Sequence, residues 1–160
     1  MFFASAERTV VSPSTGILQG HEMDDGEISA FLTEQGVGVL SMSNGGTPYG
    51  IPLSFGHGGG DRLYFLFAGH SEAGKKVTYA ERSEVASFVV YDTFPENAWR
   101  SVVFEGTIDR ITINDWETAR EAMGDNAYGL DLLTNVDLQE DPRVWALEIT
   151  GWSGRKSESG

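Results

Sequence analysis

Two lysines stand side by side, Lys75 and Lys76, in a chain with only three lysines and with 24 acidic residues against 11 basic ones. They sit in "SEAGKKVTYAER", where Ser71 is a candidate N-cap for a helix. A helix N-terminus offers unpaired N–H groups and a partial positive charge, so two ammonium groups beside it suit a phosphate. The competing reading is a solvated lysine pair on a helix surface. Glu72 suits the helix dipole but repels a close anion unless it turns outward.

Other residues with usable chemistry lie on the flanking strands. Ser54 in "PYGIPLSF", and Arg100 and Ser101 in "WRSVVFEG", can donate hydrogen bonds to a phosphate or to a polar ring edge. Alternate positions on the same strands must face a core, which accounts for most of the aromatics around them. The histidines at His21, His57 and His70 fall in predicted loops without a second ligand at a metal-like spacing, so no metal site is expected. His70, close to the phosphate helix, is the best-placed acid–base candidate, against the commoner outcome of a plain loop histidine. HExxH and GxSxG are absent, which leaves hydrolysis without visible machinery, and so is the GxGxxG of the commonest dinucleotide fold. Cysteine is absent altogether, so redox chemistry here needs a bound cofactor.

The composition narrows the partners. At 160 residues and 40% hydrophobic content the chain suits one domain, burying roughly 70% of its unfolded surface. A net charge of −13 argues against a nucleic-acid or anionic-membrane surface, because both need a basic stripe. Any phosphate is therefore bound locally. The acid excess with scarce lysine reads as adaptation to a salt-rich interior, where screening shortens self-repulsion. The N-terminus lacks a basic region followed by an apolar run, and no stretch of about 18 apolar residues occurs, so a soluble cytoplasmic protein is expected.

The elements that must position these residues follow from periodicity. Residues 1–22 show no period and are expected to form an arm ahead of a domain over 23–151, with 152–160 as a polar tail. In "MDDGEISAFLTEQG", Ile28, Phe31 and Leu32 share a helical face behind an acidic first turn. "VGVLSMS" and "TPYGIPLSFG" flank Asn44-Gly45-Gly46, the composition of a β-hairpin turn. "RLYFLFA", "VASFVVYD", "WRSVVFEGTIDRITI" and "RVWALEITG" are further strands. Asn114 and Glu117 start a helix on which Trp116, Ala119 and Met123 share a face, ended by Gly124. The segment "DNAYGLDLLTNVDLQEDP" is ambiguous. About six strands joined mainly by hairpins predict an antiparallel barrel with helices outside it.

Taken in order, these pieces resemble the FMN-binding split-barrel family related to pyridoxamine 5′-phosphate oxidase. That pattern runs from a helix and strand into "G-x-P-x-x-x-P", an "LYF" strand, a "G-(R/K)-K" helix start, "V-x-F-x-V" and "W-x-S-V-x-x-x-G". Each piece occurs here between about Glu27 and Ile113. The resemblance implies a mainly β protein, a six-stranded antiparallel Greek-key split barrel with flanking helices. It also implies a homodimer with FMN at the subunit interface. Carried over, Lys76 with Lys75 beside it holds the FMN phosphate, helped by Ser71. Pro52, Leu53, Ser54 and Phe55 line the isoalloxazine, partly through backbone groups, and Trp99, Arg100 and Ser101 belong to a strand facing the cofactor. The oxidase itself ends in an Arg-Leu-x-Pro-like segment that handles substrate, whereas this chain ends "WSGRKSESG", where Trp152 and Arg155 echo that ending without reproducing it.

The expected function is that of an FMN-dependent oxidoreductase acting on a small molecule. No proton-transfer pair is visible, which keeps a non-catalytic flavin-binding or sensing module as the alternative. Related split barrels also hold deazaflavin or heme, and both rank below FMN here.

Overall fold

The computed structural model describes residues 20–67, 73–126 and 144–157. The first 19 residues, Ser71, His70 and most of the ambiguous segment lie outside them.

After a two-residue strand β1 (His21–Glu22), helix α1 runs over Asp25–Glu34. Its start is a capping box: the Asp24 carboxylate accepts from the Glu27 backbone N–H at 2.8 Å, and Glu27 reciprocates at 3.1 Å. Ile28, Phe31 and Leu32 are buried, as their spacing predicts. Strands β2 (Val37–Asn44) and β3 (Thr47–His57) form the expected hairpin, with Gly45 at φ +57° and Gly46 at φ +86° making its turn. There follow β4 (Arg62–Leu66), α2 (Ala73–Arg82), β5 (Ala86–Thr93), β6 (Trp99–Arg110), α3 (Trp116–Gly124) and β7 (Val144–Lys156).

All pairings are antiparallel, in the order β1-β7-β4-β3-β2-β5-β6, and β6 pairs in turn with β7. That last pairing closes six strands into a barrel, with β1 only extending the far end of β7. A closed barrel has no unpaired edge. Its closure uses a bulge between Glu105 and Gly106, where a side chain at Gly106 would collide with the Glu148 carbonyl. Inside, Phe88 packs against Phe55 and Phe65 at ring separations of 5.3 and 4.9 Å.

Helices seal this interior. α1 leads into the start of β2, while α2 is tied to the other end of that strand, where Ser83 Oγ donates to the Ser43 carbonyl and accepts from the Ser43 N–H, both at 2.9 Å. The two helices therefore close opposite ends of the barrel, about 25 Å apart for an eight-residue strand. α3 lies outside, against Gly56, Tyr64 and Ala146, and its backbone approaches Gly56 so closely that only glycine fits there.

Two boundaries differ from the sequence expectation. The third helix does not start on Asn114; a 3₁₀ turn spans Ile113–Asp115 and the helix begins at Trp116 without a side-chain cap. The terminal strand does not stop at Gly151 but runs to Lys156, so most of the predicted polar tail is barrel wall. Its polar composition hides an alternation in which Trp152 packs on Phe104 and Gly154 makes room for Met23 and Ile28. β6 on one side and β1 on the other supply its backbone partners.

The outer side of β3, β2, β5 and β6 carries a cross-strand row of Pro52, Val39, Val89 and Val103. Two residues along lie Ser54, Val37, Tyr91 and Ser101. On this face Val37, Tyr91 and Val103 remain 40%, 61% and 36% exposed.

Candidate functional site

The paired lysines lie in the first turn of α2, which holds no acid. Lys75 is exposed, Lys76 is half-buried, and among the described residues nothing approaches within 4 Å of the space a side chain would occupy at Gly74. Val77 and Ala80 turn the other face of the helix into the core. Two ammonium groups in a helical first turn that holds no acid form a donor set that fits a phosphate. The Lys75 ammonium rests 4.5 Å from the centre of the Tyr49 ring and 5.9 Å from that of Tyr79, and the rings themselves are 4.9 Å apart.

On β3 the side chains alternate. Pro52 and Ser54 point outward, Ser54 opposite Val37, whereas Leu53 packs against the core and Phe55 is sealed in it at 2% exposure. Leu53 and Phe55 thus offer an external ligand their backbone rather than their side chains. The Phe55 carbonyl is occupied in turn: Asn126 Nδ2 donates to it and to the Gly36 carbonyl, both at 2.8 Å. A cleft of about 480 Å³ opens beside these residues, lined by Leu32, Gln35, Phe55, His57, Asp125 and Asn126 among others.

Trp99, Arg100 and Ser101 sit at the α1 end of the barrel. The Ser157 N–H donates to the Trp99 carbonyl at 2.9 Å and the Trp99 N–H to Ser157 Oγ at 3.0 Å, and the Trp99 ring covers Gly20. Ser101 is outward-facing between Tyr91 and Arg155. Arg100 points to the barrel end, where its Nη2 donates to Glu34 at 3.0 Å and lies 3.8 Å from Asp92. The guanidinium carbon stands 4.6 Å from the Phe31 ring centre and 4.9 Å from that of Phe94. Gln35 also donates to Asp92, at 3.3 Å.

The expected site residues therefore form two groups. Six residue steps along β5 separate Ala86, next to α2, from Asp92, next to Arg100, which is about 20 Å of strand. Lys75 and Lys76 therefore do not meet Trp99, Arg100 and Ser101 in the chain. Sequence reasoning missed Tyr49, Tyr79 and Asn126. Tyr79 had a local signal, lying four residues after Lys75 on a helix, but the other two are brought in by tertiary contacts alone.

Near the same end, Lys156 pairs with Glu27, and that hydrogen bond, aided by the Asp24 backbone, holds the Glu27 carboxyl below its ordinary range. Among the described residues no cluster of three potential metal ligands occurs, and no helix is long and apolar enough to cross a membrane.

A closed six-stranded antiparallel barrel with helices at both ends and one outside is a split β-barrel. The family model described as pyridoxamine 5′-phosphate oxidase matches residues 24–156, and the chain belongs to that family. A FAD-binding protein from Mesorhizobium loti has the same fold, with a TM-score of 0.68 at 21% identity over 86% of this chain and 98% of that one. The FAD-binding protein of Mycobacterium smegmatis aligns with a TM-score of 0.63 at 16% identity, over 85% and 97% of the two chains. A FAD- and heme-binding protein of the same organism gives 0.65 at 20%, over 84% and 72%. At such identities the likeness is one of fold. No curated protein matches the chain.

Proposed function

We propose that this protein binds a flavin and acts as a flavin-dependent oxidoreductase on a small molecule. The observation that carries the reading is the acid-free first turn of α2 with Lys75 and Lys76, in a chain of the pyridoxamine 5′-phosphate oxidase family whose fold is shared by proteins described as FAD-binding. Lys76, assisted by Lys75 and Ser71, holds the phosphate. Pro52 and Ser54, with the backbone of Leu53 and Phe55, face the isoalloxazine. When bound, the flavin supplies the hydride or electron chemistry that a chain without cysteine lacks. The family resemblance points to FMN, and the names of the structural relatives point to FAD; a phosphate on Lys76 is common to both.

The site is completed in a homodimer. Trp99 and Ser101 lie at the α1 end of the barrel and the lysines at the α2 end, and a second copy docked on the exposed Pro52, Val39, Val89 and Val103 face brings its own Trp99 to Ser101 strand to the flavin. The acid-rich composition fits work in high salt.

The test is the visible spectrum of the purified protein in high salt, followed by titration of the flavin-free form with FMN and with FAD. A flavin spectrum, or saturable binding near one flavin per chain, supports the proposal. Absence of binding to either by folded protein removes it, and a Soret band in its place favours heme. Reduction of the bound flavin by a nicotinamide donor separates an oxidoreductase from a non-catalytic binding module.

A further inference from the structure

The cleft of about 480 Å³ at the α1 end of the barrel contains neither the paired lysines nor the outward Pro52 and Ser54 of the proposed flavin site. Three elements build its walls. Leu32 and Gln35 come from the C-terminal end of α1, Phe55 and His57 from the end of β3, and Asp125 and Asn126 follow α3. Leu32 and Phe55 are buried and give it an apolar floor. A space of this size suits a small molecule with an apolar body and a few polar groups. Among the described residues that line it there is no lysine or arginine.

The polar groups around the cleft offer acceptors. Asn126 Nδ2 is committed to the Gly36 and Phe55 carbonyls, and Gln35 Nε2 is tied to Asp92. His57 Nε2 lies 3.1 Å from the Gly60 carbonyl, which can only accept, so Nε2 carries the proton and Nδ1 of the neutral ring is an acceptor. The Asp125 carboxylate is exposed and makes no hydrogen bond or ion pair among the described residues. Its position is electrostatically unfavourable: α3 has no basic residue in its last turn, Glu121 stands four residues before Asp125, and both acids sit at the negative end of the helix dipole. A cation bound there offsets both the repulsion and the dipole.

We propose that this cleft binds a small organic cation, an ammonium group carried on an apolar body. Asp125 and His57 Nδ1 accept from the ammonium, and Leu32 and Phe55 take the body. With one histidine and one carboxylate on its walls, and no group of three potential metal ligands among the described residues, the cleft does not suit a metal ion. The features that favour an ammonium repel an anion. The proposal stands whether or not the protein binds a flavin, because Lys75, Lys76 and the outward face of β3 take no part in it.

The experiment measures, by equilibrium dialysis in high salt, binding of phenethylammonium, 2-phenylethanol and 3-phenylpropionate: a cation, its neutral counterpart and an anion of similar shape. High salt screens the general pull of an acidic surface on cations. Expected is saturable binding of the cation near one per chain, at least about tenfold tighter than either other probe, the effect of one charge-assisted hydrogen bond. Asp125→Asn is expected to reduce that preference to less than about threefold, while Asp109→Asn, which removes an exposed acid on β6, leaves it unchanged. No binding of the cation, comparable affinity for the three probes, a preference that survives Asp125→Asn, or an equal loss in Asp109→Asn each overturns the site. A second measurement avoids the variants: the NMR signals of the His57 ring are expected to shift as the cation is added while those of His21 stay in place, and an unmoved His57 ring counts against the site. Titration with FMN and FAD is a separate readout, so failure of the cation site leaves the flavin reading intact.

Discussion

Arg100 donates to Glu34 over 3.0 Å while its guanidinium rests between the rings of Phe31 and Phe94. One side chain thereby joins β6 to α1 and to the strand carrying Asp92. Replacing it with methionine keeps an apolar stem between the rings and strands both carboxylates. Arg100→Met is expected to cost about 1–3 kcal/mol, seen as a lower thermal midpoint, with a smaller loss of flavin affinity than any change at Lys76 causes. A large affinity loss at unchanged stability would place Arg100 on the cofactor instead.

Lys76 is the anchor on which the proposed site depends. A charge-assisted hydrogen bond to phosphate contributes about 1.5–3 kcal/mol, so Lys76→Ala is expected to weaken flavin binding by roughly ten- to a hundredfold. Titration of the flavin-free protein in high salt measures it, with near-ultraviolet circular dichroism confirming that the variant is folded. Equal affinity before and after the substitution refutes the assignment.

Asn126 acts as a staple, its Nδ2 joining the carbonyls of Gly36 and Phe55 from a position only 7% exposed. Asn126→Ala removes the donor from both carbonyls, of which Gly36 keeps the Phe55 N–H at 3.2 Å, at a cost of about 2 kcal/mol, or roughly 4–8 °C in a domain of this size. Thermal unfolding checks the value, and a shift under a degree would mean that water replaces the amide without loss.

Glu27 makes stability depend on pH. Its hydrogen bond to Lys156 holds the folded-state pKa below the ordinary 4.5, so the unfolded chain takes up the proton first as pH falls. The stabilisation is complete above 4.5 and is lost as pH drops through the lowered folded-state value. Glu27→Gln is expected to flatten the acid side of a plot of thermal midpoint against pH. A wild-type slope retained in the variant would assign acid sensitivity to other carboxylates.

Val103 ends the row on the exposed face, opposite Val89. A glutamate there meets the same residue's surroundings on a second copy and must be desolvated, so Val103→Glu is expected to yield a folded monomer by sedimentation, with flavin binding weakened in parallel. An unchanged dimer would move the interface elsewhere.

The sequence by itself determined the local elements and, through them, the class of fold. The capping box at Asp24 and Glu27, the paired glycines at the hairpin and the alternation along β3 and β5 each reflect interactions over a few residues, which a linear reading can see. The run of pieces around "GKK" and "WRSV" likewise carried the family, which the match over 24–156 establishes. The end of β7 was not legible, because its residues read as a polar tail until β1 and β6 pair with them. Nor was the fate of Arg100, whose partners lie 66 positions back, at Glu34, and eight back, at Asp92. Tertiary structure alone decided that Lys75 and Arg100 stand at opposite ends of the barrel and that Tyr49 meets Tyr79. Such facts depend on which strand pairs with which and in what register, a property of long-range burial and closure that no short stretch of the chain contains.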